Sequence, residues 1–214
     1  MTGLRERKKQ RTRDALIRAA HELFITQGYE ATTVDQIAEA VEVSQRTFFR
    51  YFTNKEEVAL FVQGMVTGRF QEAFRTRPID EHPMESLRHT LDATWDGLSL
   101  AIGEIVPLEL HMKMWQVIEM TPALVTANLR LSLVMEEKLA MEIARRTGVD
   151  IDRDPRPRVL VAAFAGVMSA AGRQVGLCGD ASLETARRVT NAYVDHLGPA
   201  LSADWSRDHG SCTV

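Results

Sequence analysis

Apolar residues recur at three- and four-residue intervals through most of the chain, and no segment shows the strict alternation of a half-buried strand. Residues 8–27 illustrate the pattern, because their apolar side chains fall on one face of a helix: Ala15, Leu16, Ala19, Ala20, Leu23 and Phe24. Gly28 follows, at a position where glycine commonly ends a helix. The pattern predicts an all-α fold with about nine helices.

Two short helices follow the first one, and each begins with a residue that favours helix caps. Thr33 and Gln36 have the spacing of a capping box. Ser44 can cap the next helix, on which Phe48 and Phe52 lie four residues apart on the inner side. Two short amphipathic helices joined by a tight turn predict a helix-turn-helix, a unit that fits the major groove of DNA.

The remaining helices are longer and are separated by proline-containing breaks at 76–84 and 148–158. They are predicted at about 54–75, 84–102, 105–119, 121–148, 157–176 and 182–200. We therefore expect an N-terminal three-helix helix-turn-helix domain and a C-terminal helical ligand-binding and dimerisation domain, followed by a disordered tail. Their predicted bounds are 1–55, 56–201 and 202–214.

The composition is ordinary for a globular protein and favours a cytoplasmic one. Of 214 residues, 45% are hydrophobic and 26% are charged, which suffices for a core. No apolar run approaches the roughly 20 residues of a membrane span. The basic N-terminus lacks the apolar segment of a secretory signal. Cys178 and Cys212 show neither disulfide nor metal-ligand spacing, so we expect no metal site. We also expect no cofactor and no membrane partner.

The net charge of -3 conceals an uneven distribution. Residues 1–55 hold 10 Lys and Arg against 7 Asp and Glu, whereas the remainder holds 16 against 22. Six of the basic residues fall within the first 13 positions: Arg5, Arg7, Lys8, Lys9, Arg11 and Arg13. A basic head on an acidic body suits a protein that meets phosphate at one end. A disordered tail that only improves solubility is the alternative.

The second helix of the predicted helix-turn-helix exposes six residues, all of them with polar groups except Phe49: Gln45, Arg46, Thr47, Phe49, Arg50 and Tyr51. Arg46 can bind guanine through two hydrogen bonds, and Gln45 can bind adenine. Four further donors can contact phosphate groups, two of them from helix N-termini: Thr33, Ser44, Tyr51 and Lys55. The partner is therefore expected to be double-stranded DNA. Each feature alone also fits an ordinary solvated helix.

Several short motifs occur in a fixed order between about residues 10 and 62: Gly28-Tyr29, Thr-Thr at 32–33, Ile-Ala at 37–38, Val-Ser at 43–44 and Phe-x-x-Lys-Glu at 52–56. In this order they resemble the TetR family of bacterial transcriptional regulators. The chain departs from the family pattern at Glu42, where glycine is usual, and at Phe49, where tyrosine is frequent. Phe49 can still touch a thymine methyl or a sugar, while Tyr51 carries the phosphate contact.

The acidic body holds eight of the nine methionines and all three tryptophans. Methionine and tryptophan together can line an adaptable apolar pocket, although each can equally be ordinary helix core. The resemblance implies a ligand cavity among the middle helices for a small-molecule effector. Its candidate residues are Trp95, Met112, Trp115, Met135 and Phe164.

The segment 159–172 is rich in small residues and allows another helix to approach closely, because Ala162, Gly166 and Ala170 lie four apart. An internal buried helix is the alternative. The resemblance implies that the last two long helices form a two-fold interface in a homodimer, to which Val189, Tyr193 and Leu197 would also belong. Two-fold symmetry would present paired recognition helices to half-sites roughly 34–36 Å apart.

Enzyme motifs are absent from the sequence: it contains no Gly-rich phosphate loop, no Gly-x-Ser-x-Gly and no paired histidines at metal spacing. His111 suggests polar ligand recognition or a satisfied histidine, and Cys178 a thiol sensor or an ordinary loop residue. We expect a homodimeric DNA-binding regulator, most simply a repressor that a small apolar or amphipathic ligand releases from a palindromic operator. The alternatives are an activator or ligand-independent regulator, and a helical enzyme or carrier with a vestigial head.

Overall fold

Every regular element in the described part of the chain is an α-helix, as the sequence predicted. The computed structural model describes residues 2–177 and 182–197. Its helices are α1 (Thr2–Gln27), α2 (Val34–Ala40), α3 (Gln45–Phe49), α4 (Lys55–Ala59), α5 (Phe61–Arg75), α6 (Pro83–Gly103), α7 (Leu108–Met120), α8 (Pro122–Thr147), α9 (Arg156–Leu177) and α10 (Leu183–Asp195). The predicted tail, Cys178 and Cys212 lie outside the described residues.

The helices form two compact units whose segments interleave along the chain. The first unit contains residues 2–65, 97–128 and 182–183, and the second contains 66–96, 129–177 and 184–197. The division at residue 55 predicted from the sequence stays a prediction.

The N-terminal basic segment is helical rather than a disordered tail. Helix α1 begins at Thr2, not near residue 8, and residues 3–11 form exposed turns. Local pairs support these turns, since Lys9 lies 3.9 Å from Glu6 and the Gln10 amide donates to the carboxylate of Asp14 at 3.0 Å. The basic residues therefore extend from the first unit on a regular scaffold.

Two further helix bounds differ from the predicted ones. The predicted helix 54–75 is interrupted at Leu60, whose backbone angles of φ -93° and ψ 3° end α4, so ten described helices replace nine. Helix α10 ends at Asp195, because the amides of His196 and Leu197 bond to carbonyls only three residues back. Leu197 therefore lies in the turn after the helix.

The core of the first unit forms around α1, which packs against α2, α4 and α7. Its largest fully buried side chains include Phe24, Phe48, Phe52, Leu16, Ile17 and Ile37. The inward positions predicted for Ile37, Phe48 and Phe52 are confirmed. Burial of these side chains holds α2 against α1 and α3 against α2, since helices of five to seven residues are not stable alone.

The second unit contains the most apolar long helix, α9. By length and composition alone, the stretch Arg156–Gly176 could cross a membrane, with a mean hydropathy of 1.4. Core helices of soluble proteins meet the same criterion, so this composition assigns no location. One face of α9 is buried through Leu160, Val161 and Phe164, and the ring of Phe164 lies 5.9 Å from that of Phe70.

Candidate nucleic-acid interface

Side-chain caps fix the start of both short helices of the helix-turn-helix. The Thr33 hydroxyl accepts from the Gln36 amide at 3.2 Å, and the Gln36 side chain accepts from the Thr33 amide at 2.9 Å. The Ser44 hydroxyl accepts from the Thr47 amide at 3.1 Å and lies 3.0 Å from the Thr47 hydroxyl. The predicted capping box and the Ser44 cap are confirmed. Both capping residues remain exposed, so their hydroxyls are also accessible from solvent.

The turn between α2 and α3 depends on Glu42, which has a positive φ of 55°. The Glu42 amide donates to the Glu39 carbonyl at 2.9 Å, and the Val43 amide donates to the Ala38 carbonyl at 3.0 Å. These two bonds form a Schellman motif, in which the left-handed position is most often glycine. The chain accepts a Cβ at this position, at the site where the sequence departs from the family pattern.

Helix α3 presents the predicted outward residues to solvent. Gln45, Arg46, Phe49 and Arg50 are exposed, and Thr47 is half-buried. Phe48 on the opposite side is fully buried and anchors the helix. The Ser44 cap and the Phe48 anchor thus fix the orientation in which α3 displays its polar face. Contact of these residues with DNA stays a prediction.

Arg50 and Tyr51 form a pair directly after α3. The Arg50 guanidinium lies 5.1 Å from the centroid of the Tyr51 ring and donates to its hydroxyl at 3.4 Å. Tyr51 is half-buried. The pair holds a cation and a hydroxyl together at the surface, an arrangement that suits a phosphate oxygen.

Lys55 has an internal role that the sequence did not reveal. Its ammonium donates to the carbonyls of Tyr29 at 3.0 Å and Thr32 at 3.4 Å, and lies 4.1 Å from the Tyr29 ring centroid. Burial raises the pKa of Tyr29, so the phenol stays protonated. Lys55 therefore links the start of α4 to the loop that precedes α2, and a phosphate contact would compete with these bonds.

Two buried histidines in the first unit escaped the sequence analysis as a pair. His21 on α1 and His111 on α7 are 0% and 4% exposed. Neither nitrogen of His21, nor Nδ1 of His111, has a hydrogen-bond partner. Burial lowers the pKa of His21 to about 4 and that of His111 to about 3, with a further lowering of the latter by His21. The periodicity that places Ile17 and Phe24 on the apolar face of α1 also contains position 21.

The predicted ligand residues are divided between the two units. Met112 and Trp115 belong to the first unit, where Met112 is buried and Trp115 half-buried. The other three belong to the second unit: Trp95, Met135 and Phe164. Trp95 is 8% exposed, and its buried indole nitrogen has no hydrogen-bond partner. A joint role of the five residues stays a prediction.

The predicted dimer residues lie on α9 and α10 or directly after them. Ala162, Gly166 and Tyr193 are exposed, while Ala170, Val189 and Leu197 are half-buried. An open groove of about 210 Å³ in the second unit has Ala162, Leu133 and Ala140 among its lining residues. None of the predicted ligand residues lines this groove. Helix α9 is thus buried on one face only, rather than wholly internal.

Comparison with known proteins identifies the family. Residues 16–61 match the family described as bacterial regulatory proteins, tetR family, and residues 81–195 match the MftR C-terminal domain. The HTH-type transcriptional regulator TcmR of Streptomyces glaucescens is 46% identical over 205 residues, which cover 96% of this chain and 91% of that protein. The chain belongs to the TetR family. It is a helix-turn-helix transcriptional regulator, and the resemblance seen in the sequence is confirmed.

Other relatives share parts of this likeness. The HTH-type transcriptional repressor NicS of Pseudomonas putida is 28% identical over 96 residues, which cover 44% of this chain and 45% of that protein. Two solved structures share the fold at a TM-score of 0.55. FadR from Bacillus halodurans is 18% identical, with 87% of this chain and 96% of that chain covered. NalD from Pseudomonas aeruginosa is 19% identical, with 88% and 96% covered.

Proposed function

We propose that this TetR-family regulator acts in the cytoplasm as a homodimeric repressor of a palindromic operator, from which a small apolar or amphipathic ligand releases it. The observation that carries the DNA-binding part is the outward face of α3, where Gln45 and Arg46 are exposed beside the Ser44 cap. Donors at the N-terminal end of a recognition helix reach base edges in the major groove. The exposed basic turns of α1 add positive charge to the same unit.

Arg46 and Gln45 are assigned to bases, whereas Thr33, Ser44 and Tyr51 are assigned to phosphates. Arg46→Ala is therefore expected to cost about 1–3 kcal/mol of binding free energy and to relax specificity at one base position. Tyr51→Phe, the matched control, should weaken binding to all DNA sequences equally. Titration of each variant with the operator and with single-base variants of it measures both effects. Unchanged affinity and specificity of Arg46→Ala would remove Arg46 from the base-reading set.

The dimer is assigned to the exposed face of α9 and to α10. Ala162 and Gly166 leave room for a partner helix, and the exposed Tyr193 contributes apolar area. A two-fold axis would pair the recognition helices with inverted half-sites.

Release by ligand follows from linkage. A ligand that favours a dimer geometry mismatched to the groove spacing lowers operator affinity, and the operator lowers ligand affinity by the same factor. The buried, unpaired indole nitrogen of Trp95 supports a ligand in the second unit, since a ligand acceptor would satisfy it. The repressor name of NicS supports the sign of regulation.

Transcription in vitro from a promoter that carries the selected operator tests the repressor assignment. If the protein is a repressor, the number of transcripts should fall as protein is added. The operator should then overlap the promoter. More transcripts, with an operator upstream of the promoter, would instead identify an activator. Turnover of a substrate, with no salt-dependent affinity for DNA, would favour the enzyme or carrier alternative.

A further inference from the structure

Phe49 is the one large apolar side chain that α3 exposes, with 50% of its surface accessible. Its neighbour Phe48 is fully buried, and the two rings meet edge to face at 5.5 Å and 90°. Phe48 in turn packs against the ring of Phe52 at 5.6 Å. The exposed ring is therefore supported by the core of the first unit instead of swinging freely.

The side chains around Phe49 on the outer face of α3 are polar. Gln45 and Arg46 precede it by four and three residues, so all three share one face of the helix, and both are exposed. An exposed phenyl ring loses the free energy that its burial would provide. With α3 in the major groove, an apolar group of the DNA can cover the ring and recover this free energy.

The major groove offers one such group on the base edges. Thymine carries a methyl on C5, and apolar side chains contact it, whereas the other three bases present only donors and acceptors. The same methyl on the same ring atom occurs in 5-methylcytosine. Uracil and unmodified cytosine lack it.

We propose that Phe49 reads a pyrimidine C5-methyl group in each half-site of the operator. This proposal rests on the proposed function, because it requires α3 to lie in the major groove. It gives the recognition helix an apolar determinant next to the hydrogen-bonding determinants Gln45 and Arg46, and it gives Phe49 a role that a phosphate-binding tyrosine would not have.

The test replaces thymines of the selected operator by deoxyuridine, one half-site position at a time, which removes only the methyl. At the position under Phe49, wild-type protein should bind about fourfold more weakly for each methyl removed, as expected for one buried carbon group. Phe49→Ala should bind the thymine and deoxyuridine duplexes equally. At the same position, a pair of 5-methylcytosine and guanine should bind more tightly than cytosine and guanine for the wild type only.

Arg46→Ala is the matched control, because it weakens base contact on the same helix yet should retain the deoxyuridine penalty. Phe49→Leu keeps an apolar side chain and should retain part of the deoxyuridine penalty. Circular dichroism verifies that each variant is folded. Three results would overturn the proposal: equal binding of both duplexes by the wild type, a penalty that persists in Phe49→Ala, or a consensus without thymine under α3. Absence of sequence-selective binding to any duplex would instead overturn the proposed function.

Discussion

At the residue scale, the turn of the helix-turn-helix rests on one unusual backbone conformation. Glu42 has a φ of 55°, and the left-handed region costs a residue with a Cβ roughly 1–2 kcal/mol. The two backbone bonds of the Schellman motif hold it there. The strained residue lies in the turn that orients α3. A glycine at position 42 would remove the strain.

Glu42→Gly is expected to raise the free energy of unfolding by about 0.5–1 kcal/mol, because relief of the strain exceeds the added entropy of the unfolded chain. Urea denaturation measures the change. Glu39→Gly is the control, since Glu39 is equally exposed but lies within α2, where glycine should cost about 1 kcal/mol. Destabilisation by both substitutions would contradict this account of the turn.

The sequence predicts local features of single residues better than distant ones. The caps by Thr33 and Ser44 were predictable because donor and acceptor lie three residues apart. The contact of Lys55 with Tyr29 was not, because it joins residues 26 positions apart and depends on the packing of α4. The same limit applies to His21 and His111, which the chain brings into one unit from two distant helices.

At the element scale, the packing of α1 against α7 buries these two imidazoles and leaves Nδ1 of His111 without a hydrogen-bond partner. Burial favours the neutral ring, which lowers both pKa values below the 6.5 of an exposed histidine. The backbone of Val58 and Ala59 near the end of α4 opposes the shift of His21. The interface is therefore stable while both rings are neutral.

The free energy of unfolding should fall as the pH drops below 6.5, since the unfolded chain then binds protons that the folded chain excludes. The loss is about 1.4 kcal/mol per pH unit for each histidine, and it continues to about pH 4 for His21 and to about pH 3 for His111. Above pH 6.5 neither state binds these protons, so this contribution is constant.

Urea denaturation between pH 7.5 and 5 measures this slope in the wild type and in His111→Leu. The variant should lose about half of the slope attributed to the pair, because Leu fills a similar volume and does not titrate. Identical slopes for the two proteins would contradict the assignment.

The end of α5 is held by Arg146 on α8. Its guanidinium donates to the Phe74 carbonyl at 2.9 Å, to the Arg77 carbonyl at 3.3 Å and also to the Pro78 carbonyl, and it lies 4.8 Å from the centroid of the Phe74 ring. Positive charge at a helix C-terminus also complements the helix dipole. One side chain thus connects α8 to the end of α5 and to the segment that follows α5.

Arg146→Met should lower the free energy of unfolding by about 2 kcal/mol, because it leaves these carbonyls without their charged donor. Thermal or urea denaturation measures the loss. Its neighbour Arg145 is exposed and pairs with Glu142 at the surface, so Arg145→Met should cost less than about 1 kcal/mol. Equal losses in the two variants would show that the carbonyl contacts contribute little.

Periodicity predicted most elements because each long helix buries one face. The break at Leu60 escaped prediction, since Leu60 is itself a buried apolar residue that continues the pattern of the helix. The helix end after Asp195 depends on backbone hydrogen bonds, and no residue type in the sequence indicates where such bonds will form. Type and approximate position of helices are therefore readable from sequence, whereas interruptions by apolar residues are not.

At the scale of the whole molecule, each compact unit combines segments that are distant in sequence. Local composition does not reveal such a grouping, and the boundary at residue 55 stays a prediction. The outer face of α9 is the feature that bears on assembly. It combines small and apolar residues, with Val159 54% exposed beside Ala162 and Gly166. Apolar exposure of this kind is typical of an interaction surface.

Gly166→Leu should weaken the proposed dimer at least tenfold, because a large side chain would separate the two helices that the proposed interface brings together. Nothing lies within 4 Å of a Cβ at Gly166 within the chain, so the fold itself should tolerate the change. Gly68→Leu is the matched control, since Gly68 is also an exposed helical glycine at which an added Cβ would meet no atom within 4 Å. Sedimentation equilibrium measures both, and equal dimer dissociation constants would exclude α9 as the interface.

Selection of bound duplexes from a random DNA pool tests the central claim, a two-fold regulator that reads bases through α3, most directly. A two-fold regulator should select an inverted-repeat consensus whose half-sites are centred about one or two helical turns apart. Arg46→Ala should lose preference at one position of each half-site. Recovery of no consensus, or of a consensus unchanged by Arg46→Ala, would contradict this claim.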